Sequence, residues 1–190
     1  MLKSCWDCLV GYDLIRDAPR SEEPYSVQLN GSVSRAPPWP TPQVKTEKMY
    51  LLPKKLEPDD RINVNCETMN DPAMLRIGLV TGFNEPDYSN LACQLEMYFP
   101  PQNEDKLVIA AVQNGQQSIV YQDSAQDYYE GKKSTDFSVE FRVRDNVKID
   151  VFVGASHLST VPLSHDIENI RFLMISGDIN KVSRLDFQFG

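Results

Sequence analysis

The sequence has no long apolar run, no excess of positive charge, little sustained helical periodicity and, beyond residue 39, no tryptophan. Each shortage excludes something. No stretch approaches the roughly 20 apolar residues of a membrane span. Nineteen Lys and Arg against 27 Asp and Glu leave a formal net charge of −8. Nucleic acid and anionic membranes are therefore not expected as main partners, because both need a positive field. The basic runs, Lys54-Lys55 and Lys132-Lys133, are short and read as solvated surface. No glycine-rich phosphate loop is present. His157 and His165 have no Ser- or Cys-based motif near them. The acid pairs Asp59-Asp60 and Glu104-Asp105 fall in expected turns, where acidic residues act as solvated caps. The expectation is a protein that is not an enzyme and uses no cofactor.

Cysteine is also sparse. Cys66 is in phase with Ile62 and Val64, and Cys93 with Leu95, so both read as small buried apolar groups. Cys5-Trp6-Asp7-Cys8 is a CxxC, but a redox motif wants a strand before it and a zinc site wants a second Cys or His pair. It reads as two thiols in a tail. The stretch MLKSCWDCLVGYDLI is interrupted by Asp7 and Asp13 and lacks a small-residue cleavage site, unlike a signal peptide. The expected compartment is the cytoplasm, or the exterior after export without a signal peptide.

What is present divides in two. Six of the thirteen prolines precede residue 49, and SVSRAPPWPTPQVKTE has a period of neither 2 nor 3.6. Residues 1–47 read as an extended proline-rich arm that cannot bury enough side chain to offset chain entropy. The chain's only tryptophans, Trp6 and Trp39, lie in it, which suits docking to a protein partner. Loose packing of the arm on its own domain is the equal alternative. Asn30-Gly31-Ser32 matches a glycosylation acceptor but has no secretory context.

Residues 48–190 read as an all-β domain. RINVNCET puts Ile62, Val64 and Cys66 on one face. MLRIGLVTGF is more continuously apolar. In LACQLEMYFPP, Cys93, Leu95, Met97 and Phe99 face one way and Gln94, Glu96, Tyr98 and Pro100 the other. KLVIAAVQ, SIVYQ, DFSVEFRV with Phe137, Val139, Phe141 and Val143 on one face, VKIDVFVG with Val147, Ile149, Val151 and Val153 aligned, IRFLMISG and SRLDFQF come next, separated by turn residues such as Gln113-Asn114-Gly115-Gln116. A single helical turn fits Asp123–Tyr129. Many short antiparallel strands predict a two-sheet β-sandwich. Gln94, Glu96 and Tyr98 then lie on an outer sheet face.

Over residues 49–190 the chain resembles the galectins. The resemblance rests on the ordered series FSVEFRV, VKIDVFVGASHL and IRFLMISGDINKVSRLDF, with Ser164-His165-Asp166 before the last piece. MYLLPKKLEPDDRINVNCE is similar to the family's opening segment. The resemblance implies a jelly-roll sandwich binding a β-galactoside on a concave outer sheet face. There a His-x-Asn-x-Arg strand, an Asn on the next strand and a Trp followed by Glu and Arg form the site. Directed polar groups read hydroxyls and an aromatic plate covers the sugar's C–H face.

Anchored on KLVIAAVQ, the His, Asn and Arg positions fall on Glu96, Tyr98 and Pro100. The second Asn falls on Val112, the Trp near Ser118, and the last Glu and Arg near Tyr121 and Asp123. None of the family's sugar-binding residues is there. The expected site residues are Gln94, Glu96, Tyr98, Val112 and Tyr121. Two functions compete: a lectin of altered or lost β-galactoside specificity, whose partner is a glycan or glycoprotein, and a protein-interaction module that kept the sandwich without the sugar.

Overall fold

A computed structural model describes residues 47–101, 103–129 and 136–190. Eleven strands run β1 Glu47–Leu51, β2 Arg61–Thr68, β3 Met74–Gly82, β4 Pro86–Tyr98, β5 Lys106–Gln113, β6 Gln116–Asp123, β7 Asp136–Asp145, β8 Lys148–Val153, β9 Ser156–Pro162, β10 Ile170–Gly177 and β11 Ile179–Gln188. One helical turn, α1, spans Gln126–Tyr129, inside the stretch where the sequence places it. Residues 1–46 of the arm, both tryptophans, Cys5, Cys8, the Asn30 acceptor and Lys132-Lys133 lie outside the described residues, while Glu47 opens β1.

The strands form two antiparallel sheets. One has six strands in the order β1-β10-β3-β4-β5-β6, the other five in the order β11-β2-β7-β8-β9. This is an all-β sandwich, as the period-2 runs predict. The inward rows meet in one core: Ile62, Val64 and Cys66 of β2, Phe137, Val139, Phe141 and Val143 of β7, and Ile149, Val151 and Val153 of β8 face Leu75, Ile77 and Leu79 of β3, Cys93, Leu95 and Met97 of β4, and Leu107 and Ile109 of β5. Burying each Leu, Ile, Val or Phe side chain stabilises by roughly 1.5–3 kcal/mol before chain entropy is counted.

The chain changes sheets between β10 and β11, and the residues there explain why ISGD stands at that point. Gly177 has φ +109°, and a Cβ on it would lie 2.3 Å from the Met74 carbonyl oxygen, so a side chain does not fit. Asp178 then accepts hydrogen bonds from the Ala73 N–H at 2.8 Å and the Met74 N–H at 3.2 Å. The corner is thereby tied to the start of β3.

Four expectations need correction. Val147 is not in the inward row of β8: it sits in the β7–β8 turn and is 57% exposed. Asp60 is not a solvated cap but is fully buried. Its carboxylate accepts from the Glu57 N–H at 2.9 Å and the Gly190 N–H at 3.1 Å, with Lys54 Nζ at 3.3 Å, and so fastens the C-terminus. Asp105 likewise works structurally, accepting from the Ser124 hydroxyl and the Ala125 N–H. β9, SHLSTVP, carries no strand signal in the sequence; it is an edge strand with one buried residue, Val161.

Candidate functional site

The outer face of the six-stranded sheet holds most of the expected residues. Cross-strand partners share a face, so the register reads off two rows. One row is Arg76, Glu96, Val108 and Gln122; the next is Gly78, Gln94, Ala110 and Ile119. Glu96 is the hub. Only 5% of it is exposed, on a face that an open sandwich would leave wet. Arg76 Nε donates to its Oε1 at 2.8 Å, and a second Arg76 nitrogen lies 2.7 Å from the same oxygen. Gln94 Nε2 donates to Oε1 at 2.6 Å, and the Tyr98 hydroxyl donates to Oε2 at 2.9 Å.

The physical sense is charge compensation. A buried carboxylate is costly unless paired and hydrogen-bonded, and here both oxygens are engaged. Burial, and then the negative Glu96, push the Tyr98 phenol up to about 12, so Tyr98 is held as a donor. Beside Arg76 in the adjoining strand stands Ser176, buried, with an Oγ that has no hydrogen-bond partner.

Beyond this network the same face is apolar. Val80, Leu91, Phe172 and Met174 form a buried cluster, with Met49 and Val112 packed against it. Val112 therefore does share the face with Glu96, as a member of the apolar patch beside it. Tyr121 does not. It pairs with inward-facing Ile109 and packs against the sandwich core, its hydroxyl donating to Asp123 Oδ2 at 2.8 Å. The cause is a β-bulge between Tyr121 and Ile119, which puts one extra residue on β6 and reverses the phase of the residues beyond it.

The positions carried over from the resemblance shift too. β4 ends at Tyr98, so Pro100 leaves the face and Gln94 completes the outward triplet. On β6 the outward position is Ile119, 54% exposed, rather than Ser118. Sequence reasoning missed Arg76 and Ile119. Nothing local marks Arg76 as a partner of Glu96, because their pairing depends on register across a hairpin.

Two further features bound the chemistry. Among the described residues no group of three or more His, Cys, Asp or Glu side chains could hold a metal ion. No described helix is long and apolar enough to cross a membrane.

Known structures match this architecture. Chicken liver CG-16, a homodimeric agglutinin, superposes with a TM-score of 0.56 at 16% identity, covering 75% of this chain and 100% of that one. Caenorhabditis elegans galectin LEC-6 gives 0.59 at 13% identity, covering 76% of this chain and 92% of that one. A toad ovary galectin in complex with thio-digalactose gives 0.57 at 12% identity, covering 75% of this chain and 98% of that one. No protein-family model matches the sequence, and no curated protein does. The fold is the galectin jelly roll, carried by a sequence no more than 16% identical to these structures.

Proposed function

We propose that this chain is a non-enzymatic carbohydrate-binding module that reads, with the outer face of its six-stranded sheet, a glycan other than a plain β-galactoside. The Glu96 network carries the reading. It holds Gln94 and Tyr98 in fixed positions, the pre-organisation that hydroxyl recognition needs. It also engages Arg76, the one arginine of that network, with a carboxylate of the protein itself. A plain galactoside would lose a charge-assisted hydrogen bond worth about 1.5–3 kcal/mol and an aromatic contact worth about 0.5–1.5 kcal/mol. No tryptophan exists beyond residue 39 to supply that contact; exposed Ile119 on β6 offers an aliphatic surface instead.

A second reading, a protein-interaction surface, is favoured by the apolar cluster of Val80, Leu91, Val112, Phe172 and Met174 on the same face. The arm proposed for a partner lies outside the described residues. For either reading we take the cytoplasm, or export without a signal peptide, as the compartment. The unpaired thiols of Cys66 and Cys93 support a reducing site of folding.

A glycan array probed with the intact chain and with Tyr98→Ala decides between them. The lectin reading expects a selective signal that Tyr98→Ala abolishes. A blank array from folded protein would sink that reading and leave the protein partner.

A further inference from the structure

A second polar cleft lies away from Glu96, at the end of the sandwich. Four segments converge there: the end of β3, the start of β4, the β5–β6 turn and the chain from 164 to 169 that links the two sheets. The cleft encloses about 540 Å³, within the roughly 300–1,000 Å³ of small-ligand sites. Its walls are fixed by the protein's own bonds. The Asn114 N–H donates to Asn90 Oδ1 at 2.9 Å, Asn90 Nδ2 donates to Asp87 Oδ2 at 2.8 Å, and the Thr81 hydroxyl donates to the Asn90 carbonyl at 2.7 Å.

Three features point to a ligand. First, Phe83 on the rim is 81% exposed, the most exposed of the large apolar residues described. The turn that projects it needs Gly82, at φ +148°, where a Cβ would lie 2.1 Å from the Glu85 carbonyl oxygen. Second, polar groups face the cleft. Asp166, exposed at the N-cap of a short 3-10 turn, makes no capping hydrogen bond. His165 Nε2 lies 3.2 Å from the Val112 carbonyl; a carbonyl only accepts, so Nε2 carries a proton, and an unprotonated Nδ1 would be the ring's acceptor. Third, no Lys or Arg lines the cleft, whereas Asp87 and Asp166 do. The Asn90 carboxamide, and then the Ser89 N–H, hold Asp87 below the ordinary carboxylate range, so its negative charge persists at neutral pH.

We infer that this cleft binds a short, uncharged saccharide, with Phe83 covering a sugar C–H face and Asp166, His165 and Asn114 reading hydroxyls. Carboxylates, amides and an imidazole acceptor match vicinal hydroxyls, and a phenyl ring matches the apolar face of a pyranose. Asp87 and Asp166, with no Lys or Arg beside them, disfavour acidic ligands. The inference does not depend on what the Glu96 face binds.

Backbone amide shifts of the intact, isotope-labelled chain test it, with maltotriose, cellotriose and chitotriose as neutral probes and 3′-sialyllactose as the acidic one. At about 10 mM these detect millimolar affinities. At least one neutral probe is expected to shift Phe83, Asp87, Asn114 and His165 in a saturable way. Phe83→Ala, at an exposed position that does not threaten folding, is expected to weaken that binding about threefold to tenfold. Absence of cleft shifts with every neutral probe overturns the inference, as does binding unchanged in Phe83→Ala or stronger binding of 3′-sialyllactose. Shifts confined to Gln94, Glu96 and Tyr98 overturn it while supporting the proposed function of that face.

Discussion

The two sheets use their outer faces in opposite ways. In the five-stranded sheet β2 and β7 alternate strictly between buried and partly exposed residues along their length. On β2 and β7 one row enters the core and the other stays partly exposed; the outer row also carries the surface pair Arg184 with Asp186, and a buried carboxylate, Asp150 of β8, held by Thr160. In the six-stranded sheet β3, β4 and β5 are buried on both faces through their central residues. Their outer rows hold an apolar cluster and a buried ion pair with its hydrogen-bonding satellites. The outer face of the six-stranded sheet is thus packed like an interior. That face is the one proposed above to read a glycan.

The largest expected effect lies in the hub. Glu96→Ala leaves Arg76 half-buried without its carboxylate and removes the acceptor for Gln94 and Tyr98. It should destabilise by about 3–5 kcal/mol, read as a lower urea midpoint. The double change Arg76→Met with Glu96→Leu should cost far less, because no unpaired charge remains. Equal losses in both variants would show that packing, not charge pairing, holds the face. Next is Leu91→Ala in the outer apolar cluster. It should cost about 2–5 kcal/mol, like a core truncation, whereas Asn65→Ala on the outer row of β2 should stay within about 0.5 kcal/mol. Similar small values for both would abolish the contrast between the sheets.

Alkaline titration gives a third comparison. Burial, and then the negative Asp136, push the Cys66 thiol up from 9.0 to about 12, and the Tyr98 phenol also stands at about 12. Both are raised above their unfolded values. Their neutral forms thus favour the fold fully below about pH 9, and that contribution is lost as pH rises towards 12. Urea midpoints should be level up to pH 9 and fall above it, and Cys66→Ala should remove part of the fall. A midpoint that rises between pH 9 and 12 would contradict the assignment. The smallest effect belongs to the exposed pair of the other sheet: Arg184→Ala should cost no more than about 1 kcal/mol, and less in high salt.

The same contrast between sheets explains how much was legible in the sequence. Strands with one wet face announce themselves by alternation, so β2, β7 and, of β8, Ile149, Val151 and Val153 but not Val147 were readable residue by residue. Strands buried on both faces read only as apolar runs, as MLRIGLVTGF and KLVIAAVQ do. The outward triplet Gln94, Glu96 and Tyr98 was visible because polar residues interrupt such a run. Arg76 was not, since a cross-strand partner has no local signal. Tyr121 was misplaced because a bulge leaves no mark in composition, and β9 was missed because a polar edge strand resembles a loop.

Calorimetric titration of the intact chain with lactose bears on the proposal that the Glu96 face does not read a plain β-galactoside. No saturable heat is expected at millimolar sugar. Saturable binding with a sub-millimolar Kd would contradict that proposal.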